Sequence, residues 1–135
     1  MVQEYHLAVR SYTVIDGDSV RVILDCAFRI RYETVARLWG VDTPKKSTLS
    51  GGLVTSVVEK WLETRDDGLI FHSMQEDKYG GRWDGDLYHS NNPGATLSNY
   101  LYTSGLAKAY DGGKKEEWGA DDLLDVERKA KELLR

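Results

Sequence analysis

Arg37 and Asp42 close a strongly patterned run, Ala36-Arg37-Leu38-Trp39-Gly40-Val41-Asp42-Thr43-Pro44. A guanidinium is a permanently charged fork that matches phosphate or carboxylate. Pro44 has no N–H for a ladder and pushes Thr43 towards an extended conformation, so the strand must end there and leave Asp42 at its tip. Upstream, Val14-Ile15-Asp16-Gly17-Asp18-Ser19-Val20 sets two carboxylates around a glycine between two β-rich runs, the pattern of a hairpin tip. Taken alone, Asp16-Gly17-Asp18 is a turn and Arg37 a charge on a wet strand face. Taken together, two acidic strand ends could converge on one cation, with Arg37 beside them for phosphate.

These residues need a scaffold of strands. Residues 5–15 and 19–24 read as a hairpin, and residues 29–41 alternate with charges at nearly every odd position, which is the period of a strand with one wet face. That period puts Arg37 on a face with Arg31 and Glu33, opposite Ile30, Tyr32 and Leu38. Residues 45–52 are small and polar and read as a loop. From Leu53 to Thr64, Val54, Val57, Val58, Trp61 and Leu62 recur at helical spacing as a core-facing stripe. Residues 69–74 and 82–88 read as further strands around a polar loop, and Asn91-Asn92-Pro93-Gly94 as a turn. A helix is predicted over residues 95–104 with Gly105 as its stop, and an amphipathic helix over residues 120–135, acidic at its start and basic towards its end. Three strands, a helix and two more strands, then two helices, is the order of an oligonucleotide-binding (OB) barrel: α+β, mainly β, one domain over 1–135.

The chain has 135 residues, 41% hydrophobic and 30% charged, which suits one soluble core. A net charge of −4 excludes a broad polybasic surface, so contact with nucleic acid would be local and sensitive to salt. Cys26 is the only cysteine, which excludes an internal disulfide and a multi-cysteine metal site. His6, His72 and His89 are scattered singly. No apolar run approaches the roughly 18 residues of a membrane span, and no signal-peptide pattern opens the chain, so a soluble, cytoplasmic or otherwise intracellular monomer is expected.

Four stretches in this order carry a resemblance: Ile15-Asp16-Gly17-Asp18-Ser19-Val20, Arg37 to Pro44, Asp77-Lys78-Tyr79-Gly80 with Arg82, and Gly105-Leu106-Ala107-Lys108-Ala109-Tyr110. Over about residues 8–135 the chain resembles the staphylococcal nuclease (thermonuclease-like) family. The resemblance implies a five-stranded OB barrel and calcium-dependent hydrolysis of phosphodiester bonds in DNA or RNA. It implies Asp18 and Asp42 as calcium-binding carboxylates with the Thr43 carbonyl as a third ligand, a set of oxygens that a hard cation selects. Arg37 and Arg82 resemble the arginines that hold the scissile phosphate and stabilise its developing charge. Tyr79 and Tyr110 resemble tyrosines that pack on the bound nucleotide, with packing inside the protein as the alternative; Lys78 is a candidate phosphate contact.

Two departures bear on activity. The family follows Asp-Thr-Pro with a glutamate that positions or deprotonates the attacking water, and this chain has Lys45 there, with no Asp or Glu between Asp42 and Glu59. Loss of such a base typically costs about 10²- to 10⁴-fold in rate. Lys45 is read either as a cation folded back onto Asp18 and Asp42 in place of metal, or with Lys46 as a solvated pair or a substrate-attracting patch. The doubled glycine in Tyr79-Gly80-Gly81-Arg82 adds a residue before Arg82 and threatens to displace it. The acids around Gly85, Asp84 and Asp86, read as a solvated strand or bulge. The leading expectation is a weak nuclease; the alternatives are a non-catalytic OB module binding single-stranded nucleic acid and a protein-interaction domain that keeps only the fold.

Overall fold

A computed structural model of the chain describes residues 4–135. The first strands, β1 (Tyr5–Asp16) and β2 (Ser19–Asp25), form an antiparallel hairpin whose turn is held by the Gly17 N–H donating to Asp16 Oδ1 at 2.8 Å. β2 pairs antiparallel with β3 (Arg31–Leu38), and after a break at Trp39–Gly40 a two-residue β4 (Val41–Asp42) resumes the chain. Helix α1 (Leu49–Glu63) follows, then β5 (Leu69–Glu76), β6 (Arg82–His89) and β7 (Asn92–Thr96). Helix α2 (Leu97–Thr103), the short β8 (Lys108–Ala109) and helix α3 (Ala120–Leu133) complete it.

The sheet runs β3-β2-β1-β5-β6-β7, and a further pairing of β3 with β6 closes β1, β2, β3, β5 and β6 into a barrel. That closing pair is parallel, with Val35 opposite Arg82, Ala36 opposite Trp83, Arg37 opposite Asp84 and Leu38 opposite Gly85. The architecture is therefore the expected OB-like, mainly β fold, with α1 between the third and fourth barrel strands and α2 and α3 after the fifth. Among the described residues no helix is long and apolar enough to cross a membrane.

Alternation fills the barrel: Val20, Val22 and Leu24 of β2, Ala36 and Leu38 of β3, Leu69 and Phe71 of β5 and Leu87 of β6 are all buried. Each of the Val, Leu and Phe side chains contributes roughly 1.5–3 kcal/mol by leaving water. The predicted stripe of α1 is buried in full, from Val54 through Val57, Val58 and Trp61 to Leu62. α3 packs on α1 through Val126 and Ala130, with Ser50 Oγ donating to the Leu123 carbonyl at 2.6 Å and Lys60 Nζ to the Leu133 carbonyl at 3.0 Å.

Four local expectations change. α1 starts at Leu49, because Thr48 Oγ1 accepts the Gly51 N–H at 3.0 Å and caps the helix, so the second half of the supposed loop is its first turn. Asn92 to Gly94 lie in β7 rather than in an isolated turn. On β3 the parity holds for Thr34, Ala36 and Leu38, but Ile30 precedes the strand at 57% exposed and Tyr32 is 47% exposed, since the β2–β3 hairpin projects beyond the core. Arg37, on the opposite parity, is buried rather than wet at 6% exposed.

Candidate functional site

Arg37 is covered because its charge is used. Its Nη1 donates to the Leu38 and Val41 carbonyls, both at 2.8 Å, which fixes the guanidinium across the Trp39–Gly40 break. Its Nη2 lies 3.6 Å from Asp18 Oδ2 and 3.7 Å from Asp42 Oδ1, buried and with no hydrogen bond of its own. The β1–β2 turn and the β4 end therefore do converge, as the two acidic strand ends required. Asp18, Asp42 and Thr43 are 7%, 6% and 4% exposed. Asp18 is oriented by the Thr43 N–H at 3.1 Å and by Ser19 Oγ at 3.1 Å.

The cation that reaches this pair is not Lys45. Lys45 is exposed and uses its carbonyl to accept the Thr48 N–H and hydroxyl, at 2.9 and 2.7 Å; the fold-back of its ammonium onto Asp18 and Asp42 is thus corrected. The same carbonyl lies against Gly51 in the first turn of α1, where a Cβ would collide with it. Lys115, in the segment between β8 and α3, sits 3.2 Å from Asp42 Oδ1, and Trp118 Nε1 donates to Asp42 Oδ2 at 3.2 Å. No periodicity marks Lys115 or Trp118 in the sequence; only the fold brings their segment over the acids.

Beside this cluster opens a cleft of about 350 Å³. Arg37, Arg82, Lys78 and Lys115 supply cations to its walls, Asp77, Asp84 and Asp111 carboxylates, and Trp39, Tyr79 and Tyr110 aromatic surface. Asp18, Asp42 and Thr43 do not line it; Arg37 and Lys115 connect the acids to the opening. Tyr79 is 76% exposed, with Lys78 Nζ 5.2 Å and Arg82 Cζ 5.9 Å from its ring centre. Tyr110 has Arg37 Cζ and Lys115 Nζ each 5.6 Å from its ring centre, and its hydroxyl donates to the Gly113 carbonyl at 3.0 Å. Lys78 Nζ donates to the Gly112 carbonyl at 2.9 Å, tying the two loops that flank the cleft.

Arg82 lines the cleft together with Arg37. Gly80 and Gly81 before it both take left-handed backbone, at φ +75° and +74°, a conformation glycine adopts without penalty. Arg82 then begins β6 opposite Val35, with Nε 3.2 Å from Asp77 Oδ2 but not aligned as a hydrogen bond.

The acids after Arg82 lie on β6 beside an irregularity in its register with β5, as the strand-or-bulge reading expected, but are half-buried rather than fully solvated. Gly85 between them faces the other way, into the barrel, where a Cβ would collide with the His72 carbonyl and the Phe71 ring. Asp86 Oδ1 accepts the N–H groups of Leu87 at 2.9 Å and Ser98 at 3.0 Å, holding the start of α2, and burial raises its pKa. Asp84 turns into the cleft, where burial and a hydrogen bond with Asp77 raise its pKa while Gln75 and Arg37 oppose the rise. Burial also acts to raise Asp77, but the Tyr79 N–H, Asp84 and Arg82 outweigh it and hold Asp77 below the usual carboxylate value.

No family model and no curated protein matches the chain. Among the described residues no group of three or more His, Cys, Asp or Glu side chains is placed to hold a metal ion. The donor chemistry at Asp18, Asp42 and the Thr43 carbonyl nonetheless suits a hard cation, being oxygen alone, with the remaining positions left to water. Lys115 already pairs with Asp42, so a metal ion at this pair would have to compete with that ammonium.

Proposed function

We propose that the protein is a thermonuclease-like phosphodiesterase acting on single-stranded DNA or RNA. One observation carries the reading: Arg37 stands between two buried carboxylates and a cationic cleft with exposed aromatic walls, its Nη2 without a hydrogen bond. A buried, unpaired guanidinium N–H is costly unless a ligand completes it, and a phosphate oxygen does so with a charge-assisted bond. Arg82 on the neighbouring strand offers the second donor set, and Tyr79 gives a base a surface to stack on. Calcium held by Asp18, Asp42 and the Thr43 carbonyl would polarise a phosphoryl oxygen and neutralise its charge. Arg37 and Arg82 hold and orient the phosphate, and the Leu38 and Val41 carbonyls keep Arg37 in the orientation that does so.

A second reading, a non-catalytic module that binds single strands, is favoured by Lys115, which supplies the acids with a cation of the chain's own. Cleavage of labelled single-stranded DNA and RNA in calcium and in EDTA, with Arg37→Ala as control, tests the first reading. Calcium-dependent cleavage that falls at least 100-fold in Arg37→Ala is the expected outcome. Equal residual cleavage in both proteins overturns it, and binding by anisotropy in EDTA would then support the module.

A further inference from the structure

Hydrolysis of a phosphodiester needs a group that takes a proton from the attacking water, and Lys45, exposed and without a carboxylate neighbour in sequence, does not provide one. The acids of the cleft can be sorted by what already holds them. Asp111 Oδ1 accepts the Gly113 N–H at 2.9 Å and serves its own turn. Asp77 accepts the Tyr79 N–H at 3.0 Å and faces Arg82 at 3.2 Å, so it is held as an anion and is a weak base. Asp18 and Asp42 lie outside the cleft, each with N–H donors.

Asp84 differs from all of these. Its Oδ2 receives one long contact, from Gln75 Nε2 at 3.3 Å, and its Oδ1 is buried with no donor. It stands opposite Arg37 in the parallel β3–β6 pairing and two residues beyond Arg82 on β6, so the strand period sets all three on one face at the barrel seam. A phosphate gripped by Arg37 and Arg82 lies over that face. We infer that Asp84 is the general base of this site, with Asp77 as its positioning residue. The inference rests on the phosphodiesterase reading above.

In the step, Asp84 takes one proton from water as the water oxygen forms a new bond to phosphorus. The ester P–O bond breaks with its electron pair on the leaving oxygen, which takes a proton from solvent. Asp84 then returns its proton to solvent, so that one water is consumed and no oxidant or reductant is needed. Asp77, accepting the hydrogen bond of the protonated Asp84, holds the received proton between the two carboxyls. Burial and the neighbouring Asp77 raise the pKa of Asp84, which strengthens it as a base beside the cleft's arginines.

The test compares the full chain with Asp84→Asn and Asp84→Glu by steady-state cleavage of a labelled oligonucleotide across pH, with binding followed by anisotropy. For Asp84→Asn the expected result is a kcat lower by about 10²- to 10⁴-fold, KM and binding within about threefold of the parent, and loss of the acid limb of the kcat/KM profile. Asp84→Glu is expected to recover part of kcat and keep the limb. Cleavage by Asp84→Asn within threefold of the parent, with the limb unchanged, overturns Asp84 as base and leaves the nuclease reading intact. Absence of Arg37-dependent cleavage by the parent chain overturns both. If Asp84→Asn does not fold, the parent profile decides: an acid limb above the ordinary aspartate range supports the inference, and a flat profile there overturns it.

Discussion

At Asp42 one carboxylate oxygen faces two cations of the chain, Lys115 at 3.2 Å and Arg37 at 3.7 Å, and a metal ion from solution would have to compete with them. Lys115 is 54% exposed in its side chain, so its hold is screened, and removing it should matter modestly. Lys115→Met is therefore expected to tighten calcium binding about two- to fivefold, as read by calorimetric titration. An unchanged affinity would show that the ammonium does not guard the site. Arg37, Asp18 and Asp42 were marked in the sequence by turn and strand-end chemistry within a few residues, whereas Thr43, Tyr79 and Arg82 were singled out only by the resemblance. Lys115, Trp118 and Asp84 were marked by neither: their roles come from contacts across the fold, and nothing next to them in the chain distinguishes them from solvated charge or loop aromatic.

Elements bring the same lesson at longer range. The helical stripe of α1 and the barrel strands were readable from periodicity, since burial of a face imposes that period. The start of α1 was not, because Ser50-Gly51-Gly52 has poor helix propensity and is held in the helix by the Thr48 cap and by contact of Ser50 with α3. Asp86 joins two elements in a comparable way, its carboxylate on β6 accepting the Ser98 N–H at the start of α2. Its pKa is raised chiefly by burial, so the folded protein retains a proton that the unfolded chain has released. Stability from this group is thus present at low pH and lost as pH rises from the ordinary aspartate value through the raised one. Measured by denaturant unfolding between about pH 4 and 7, the stability of the parent relative to Asp86→Asn is expected to fall as pH rises. A constant difference would place the burial cost elsewhere.

For the whole molecule, a net charge of −4 gives a polyanion no overall attraction, so binding rests on local cationic surface such as the cleft. Four cations face three carboxylates there, which limits the number of phosphates that can be neutralised. At about 0.7 counterions per phosphate on a single strand, the salt slope of oligonucleotide binding should not exceed about 3. A steeper slope in an anisotropy titration would mean that the strand follows a surface beyond the cleft. The cleft also lies on the parallel β3–β6 closure, with Arg37 on one lip and Arg82 on the other. On the proposed reading, a single phosphate gripped from both lips would act as a rivet through the barrel wall. Occupancy and closure would then be one event: opening of the wall at this joint would release the ligand, and a bound ligand would reinforce the four paired positions.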